Sequence, residues 1–134
     1  MQGPESGTTE VVCQSDNNTP FTSGGGFSTF YDQSLYQKSS VAAYFSAAAS
    51  GGQSPSAGCN KGGSGYPDVT LAGCKYIVRV GGRYYSTSGT SASTPSVAGF
   101  ISNISAVCIP AGKGSVGWVN PVLFAYSTSF VKDI

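Results

Sequence analysis

Histidine is absent from this 134-residue chain. Its absence excludes Ser-His-Asp and Cys-His catalytic arrangements, zinc sites built on imidazole, and general-base catalysis by imidazole near neutral pH. Any catalysis by this chain must therefore rely on carboxylates, lysine, tyrosine or hydroxyl groups.

Charged residues are also scarce. They make up 10% of the sequence, and seven Lys and Arg against six Asp and Glu give a net charge of +1. Without a basic cluster to displace counterions from a phosphate backbone, we expect no nucleic-acid partner. No apolar run approaches the ~20 residues that span a bilayer, so we expect no membrane partner either. The length suits one domain, and we expect a monomer.

The chain has four cysteines, Cys13, Cys59, Cys74 and Cys108, at wide spacings. The absence of a C-x-x-C pair argues against metal or thioredoxin-like redox sites. An even number in a chain rich in Gly and Ser favours disulfides in an oxidising compartment over buried thiols. Four cysteines allow three full pairings, and the sequence does not choose among them.

Hydrophobic spacing predicts three elements. Val41, Tyr44, Phe45 and Ala48 form a helical stripe, which a Ser caps and Gly51-Gly52 ends. Two β-rich runs around Gly81-Gly82 predict a hairpin over residues 76–87. A helix that starts around Ser93-Thr94-Pro95, with proline in its first turn, is predicted to bury the stripe Val97, Ile101, Ile104 and Cys108.

Ser91 is the candidate nucleophile because it lies where a loop turns into this helix. Unpaired N–H groups and the positive end of the helix dipole favour an anionic intermediate there, and Gly89 keeps the approach open. The alternative is that Ser91, Ser93 and Thr94 only compete to cap the helix.

Five blocks of the sequence resemble, in order, those of the sedolisins, the serine-carboxyl peptidases of the subtilisin-like clan. In chain order they are Ser23–Ser28 (SGGGFS), Tyr36-Gln37 with Val41–Tyr44, Tyr66–Thr70 (YPDVT), Ser88–Gly99 (SGTSASTPSVAG) and Gly117–Phe124 (GWVNPVLF). The resemblance implies an α/β, partial subtilisin-like fold: a parallel sheet with flanking helices, and a β-hairpin before the nucleophile helix. It also implies that residues 1–134 are the C-terminal part of a single peptidase domain, with 1–20 a polar leader and 21–134 family-like.

By the same resemblance, Ser91 attacks peptide bonds of a peptide or protein substrate in acid. A Glu oriented by an Asp replaces the imidazole base, and a further Asp lies in the oxyanion hole. None of the chain's six carboxylates forms a Glu-x-x-x-Asp pair, and Asp68 is expected to be structural. We therefore expect the isolated chain to be inactive.

The resemblance extends to two further sites. Asp133 and Ile134 resemble the first half of a calcium site, which alone is too small for the ~6–8 oxygens that calcium requires. Gly24, Gly25 and Gly26 are candidate substrate-binding residues, because a glycine run lets an extended peptide approach the backbone. A secreted or lysosome-like acidic location is expected. The alternatives are a non-catalytic remnant or pseudoenzyme, and a small secreted binding domain tied by disulfides.

Overall fold

The computed structural model describes residues 11–17, 19–52, 55 and 57–130. Their contacts divide them into two units, each of which is described by itself. The first contains the described parts of residues 11–23 and 69–117, and the second those of 24–68 and 118–130. The strands are β1 (Gly26–Asp32), β2 (Gly63–Tyr66), β3 (Tyr76–Val80) and β4 (Arg83–Thr87), and the helices are α1 (Lys38–Ser50), α2 (Thr90–Cys108), α3 (Asn120–Ala125) and α4 (Ser127–Phe130).

The hairpin of the first unit is confirmed. Strands β3 and β4 pair antiparallel in continuous register from Tyr76 opposite Thr87 to Val80 opposite Arg83. Gly81 and Gly82 both have positive φ angles, which a tight two-residue hairpin turn requires. The hairpin leads directly into α2 through Ser88 and Gly89.

Helix α2 differs from the prediction at its start and in its burial. It begins at Thr90, so Pro95 is the sixth helical residue and does not lie in the first turn. Of the predicted buried stripe, Val97, Ile101 and Cys108 are half-buried and Ile104 is 50% exposed.

The second unit joins a small sheet to a helix. Strand β1 pairs antiparallel with β2, and Phe27 of β1 packs on α1 through Phe45, whose ring centroid lies 4.9 Å away. The predicted helix is confirmed as α1, but its N-cap is Gln37 without a side-chain cap, so the predicted Ser cap is wrong. Strand β2 has only four residues, two of them glycine, which concealed this sheet from sequence analysis.

The predicted parallel sheet is not confirmed, since both sheets in the described part of the chain are antiparallel pairs. Helices and strands do coexist, as the α/β expectation requires. No helix within the described ranges is both long and apolar enough to cross a bilayer.

Gly63 occupies the tightest position of the β1–β2 sheet. The register is irregular between Phe27 and Asp32, and the Ser28 carbonyl there accepts a hydrogen bond from Asn60 Nδ2 at 2.7 Å. A Cβ at Gly63 would overlap that same carbonyl oxygen, which is backbone and cannot rotate away. Only glycine fits at position 63 without displacing β1.

We expect Gly63→Ala to destabilise the chain by about 2–3 kcal/mol, because overpacking against backbone has no cheap relief. The matched control is Gly62→Ala, since a Cβ at Gly62 meets only Asn60 Oδ1 at 3.6 Å, an ordinary contact. Urea unfolding followed by the fluorescence of Trp118 measures both variants. Equal midpoints for the two would contradict the close approach.

Candidate active site

Ser91 is the second residue of α2, and its side chain is exposed. Backbone N–H groups at the start of a helix lack an α-helical acceptor. The Ala92 N–H donates to the Gly89 carbonyl at 3.0 Å, which leaves the Ser91 N–H beside the hydroxyl at the positive end of the helix dipole. A hydroxyl and an N–H donor therefore lie together at one helix end. This arrangement could hold a tetrahedral oxyanion formed on Ser91, provided that a base takes the hydroxyl proton.

The capping alternative for Ser91 is not what the structure shows. The N-cap residue is Gly89, and no side chain caps the helix. Pro95 lacks an N–H, so the Ser91 carbonyl also lacks the α-helical bond that residue 95 would normally donate. Ser91 is thus a helical residue with its hydroxyl available.

Gly89 sets the direction in which α2 leaves the hairpin. Its φ of 141° and ψ of 157° lie in a region that is essentially restricted to glycine. The predicted role of Gly89 was an open approach to the hydroxyl. The structure adds a conformational role, because a side chain at this position would strain the turn that presents Ser91.

Residues 72–76, called the brace segment below, support this turn. It contacts both the residues just before α2 and the first two turns of the helix. The contacts are Gly89 N–H to the Gly73 carbonyl (2.7 Å), Ser93 Oγ to the Ala72 carbonyl (2.9 Å), Lys75 N–H to Ser88 Oγ (3.1 Å), and a short hydrogen bond between the Tyr76 and Ser96 hydroxyls. These hydrogen bonds therefore fix the chain before and after Ser91, while the Ser91 side chain stays exposed.

Two cysteines lie behind the brace segment. Cys74 belongs to it, and the Cys74 thiol donates a hydrogen bond to Cys13 Sγ at 2.7 Å. Cys13 is 0% exposed and Cys74 is 7% exposed. Burial raises the pKa of Cys74, and the adjacent Cys13 sulfur raises it further. Burial also acts to raise the pKa of Cys13, but the hydrogen bond from Cys74 opposes it, and the net direction is downward.

The glycine run lies in the second unit. Gly26 begins β1, and Gly25 and Gly26 line a cavity of about 640 Å³ together with Phe27, Tyr44 and Tyr66. The predicted substrate-binding role of Gly24, Gly25 and Gly26 is not tested by this placement. Ser91 belongs to the first unit, so the structure describes the two predicted sites separately.

Asp68 is held by two side-chain amides. Its Oδ1 accepts a hydrogen bond from Gln37 Nε2 at 2.7 Å, and its Oδ2 accepts one from Asn120 Nδ2 at 2.8 Å. A carboxylate engaged in this way ties three segments of the second unit together. The contacts agree with the structural role expected for Asp68.

Gln37 is the central polar residue of the second unit, and sequence analysis missed it. It is 2% exposed, and its Oε1 accepts hydrogen bonds from the Ser64 hydroxyl at 3.0 Å and the Gly65 N–H at 3.2 Å. Its Nε2 also donates to the Gly65 carbonyl at 3.0 Å. The only sequence signal was its position in the block that includes Tyr36-Gln37, which says nothing about burial.

The predicted calcium residues, Asp133 and Ile134, lie outside the described residues. Within the described ranges, no group of three or more Cys, Asp or Glu side chains is placed to hold a metal ion. The structure therefore does not test the calcium site.

Comparison with known proteins identifies several relatives of this chain. Aorsin of Aspergillus oryzae is 38% identical over 134 residues, which cover 92% of this chain and 20% of aorsin. Physarolisin of Physarum polycephalum is 34% identical over 130 residues, covering 95% of this chain and 22% of physarolisin. Tripeptidyl-peptidase 1 of Canis lupus familiaris is 36% identical over 135 residues, covering 100% of this chain and 22% of that enzyme.

The chain belongs to the sedolisin family. The resemblance found in the five sequence blocks is thereby confirmed. No family model matches the chain. This sedolisin chain spans about a fifth of the length of the curated relatives it matches.

We expect Gly89→Ala to destabilise the chain by about 1–3 kcal/mol, because alanine is strained at the φ and ψ of this residue. Gly99→Ala, inside the same helix with open space around its Cβ, is the matched control. It should stabilise by about 0.5–1 kcal/mol through helix propensity. Thermal unfolding measures both, and shifts of the same sign would contradict the conformation of Gly89.

Proposed function

We propose that this chain carries the nucleophile of a serine-type peptidase that acts in acid. Ser91 attacks the scissile carbonyl, its proton passes to a carboxylate base, and the amine leaves to give an acyl-enzyme that water hydrolyses. The exposed position of Ser91 at the start of a braced helix supports the proposal. Family membership supports it independently, and relatives named tripeptidyl peptidases suggest a peptide or protein substrate.

Among the described acidic residues, Asp68 is engaged by Gln37 and Asn120, and Asp16 and Asp32 are exposed. Following the family resemblance, we propose that a Glu and Asp pair and an oxyanion Asp complete the catalytic set, in a larger peptidase domain with a subtilisin-like α/β fold. We also propose that the protein is a monomer and that it acts in a secreted or lysosome-like acidic location.

We test the nucleophile in a chimera in which this chain replaces the aligned fifth of canine tripeptidyl-peptidase 1. The chimera should release tripeptides from a peptide substrate and react covalently with a fluorophosphonate at Ser91. Ser91→Ala should lower the rate at least ~10³-fold, as removal of an activated serine does in other serine peptidases. The isolated chain should show no hydrolysis between about pH 3 and 6, because its sequence contains no Glu-x-x-x-Asp pair to act as the base.

Thr94→Ala is the matched control for Ser91→Ala. Thr94 is also exposed and lies three residues further along the same helix. This variant should keep the rate of the chimera. Retention of activity by Ser91→Ala, or hydrolysis by the isolated chain that depends on Ser91, would refute the proposed arrangement.

We further propose that calcium needs ligands beyond Asp133 and Ile134. Two positions supply too few of the ~6–8 oxygens that calcium takes. Addition of calcium or of a chelator should therefore leave the melting temperature of the isolated chain unchanged. A rise in melting temperature that saturates at micromolar calcium would show that this chain holds a complete site.

A further inference from the structure

The buried centre of the first unit is built around two sulfur atoms. Cys13 and Cys74 are 0% and 7% exposed, and the chain brings them together across 61 positions of sequence. Their sulfurs lie 2.7 Å apart, closer than two unbonded sulfur atoms pack. A disulfide has a bond length of about 2.05 Å, so a small movement joins them.

The remaining cysteines do not compete for this contact. Cys59 lines the cavity of the second unit, and Cys108 is the last residue of α2. Both are half-buried. The contact thus distinguishes one pair among the pairings that four cysteines allow.

The Cys13 and Cys74 pair lies directly behind the turn that presents Ser91. Cys74 follows Gly73, whose carbonyl accepts the hydrogen bond from the Gly89 N–H, and precedes Lys75, whose N–H donates to Ser88 Oγ. On the other side, the Cys13 carbonyl accepts a hydrogen bond from the Ser23 N–H at 2.8 Å. A covalent bond between the cysteines would anchor the brace segment to residues 13–23.

We propose that Cys13 and Cys74 form a disulfide that fixes the brace segment and so positions the Ser91 turn. The bond exists independently of catalysis, whereas its positioning role rests on the proposed function of Ser91. In forming the bond, the two thiols lose two protons and two electrons. The oxidant is the disulfide of a thiol–disulfide oxidoreductase, which gains both and becomes a dithiol.

The bond is tested by peptide mapping of the 134-residue chain secreted from a eukaryotic host and unfolded in the presence of N-ethylmaleimide. Trypsin cleaves after Lys38, Lys61, Lys75, Arg79, Arg83, Lys113 and Lys132, which places each cysteine on its own peptide. Peptides 1–38 and 62–75 should appear linked, with the mass of two hydrogen atoms missing. Alkylation of both cysteines, or linkage of either to Cys59 or Cys108, would overturn the bond.

The positioning role is tested in the chimera by the rate at which a fluorophosphonate labels Ser91. Replacing both cysteines (Cys13→Ser with Cys74→Ser) should lower kcat and the labelling rate about tenfold and leave KM within about twofold. The matched control, Cys108→Ser at the last residue of α2, should change none of these. A linked peptide map with unchanged labelling in the double variant would refute positioning but keep the bond. An unlabelled Ser91 in the parent chimera would instead refute the proposed function.

Discussion

The hydrogen bond from the Gly89 N–H to the Gly73 carbonyl is the contact on which the geometry around Ser91 depends. At 2.7 Å it joins the N-cap residue of α2 to the segment before the hairpin. A single such bond contributes only about 1 kcal/mol. Its effect is geometric, because Gly89 has a conformation that other residues rarely adopt, and the neighbouring contacts of Ser88, Ser93 and Ser96 hold the same turn.

Polar contacts, more than apolar burial, organise both units. In the second unit Gln37 is almost fully buried and satisfies both ends of its amide through Ser64, Gly65 and Asp68. Large apolar side chains such as Phe30 (84% exposed) and Val107 (74%) contribute little to a core within the described residues. A buried amide with all its partners has only one low-energy position, which explains how a small, glycine-rich sheet keeps its register.

Sequence analysis predicted the elements that are determined by neighbouring residues along the chain. The hairpin follows from two β-rich runs around Gly81-Gly82, and α1 from its helical stripe. Sequence analysis did not predict features that depend on contacts between segments distant in the sequence. Strand β1 pairs with a glycine-rich β2 across an irregular register, and Pro95 lies inside α2 because the helix begins five residues earlier than a proline-led start would place it. The Ser91 motif was visible locally, whereas its support by the brace segment required tertiary contacts.

The contacts of the Ser91 turn bear directly on the proposed function. In that proposal a carboxylate takes the proton of the Ser91 hydroxyl, and the rate depends on how accurately the hydroxyl is placed against that base. Rigid support of the turn would therefore favour the proposed reaction. A Cys13–Cys74 bond would add about 4 kcal/mol through closure of a loop of about 60 residues, and that restraint would act on the segment that supports the Ser91 turn.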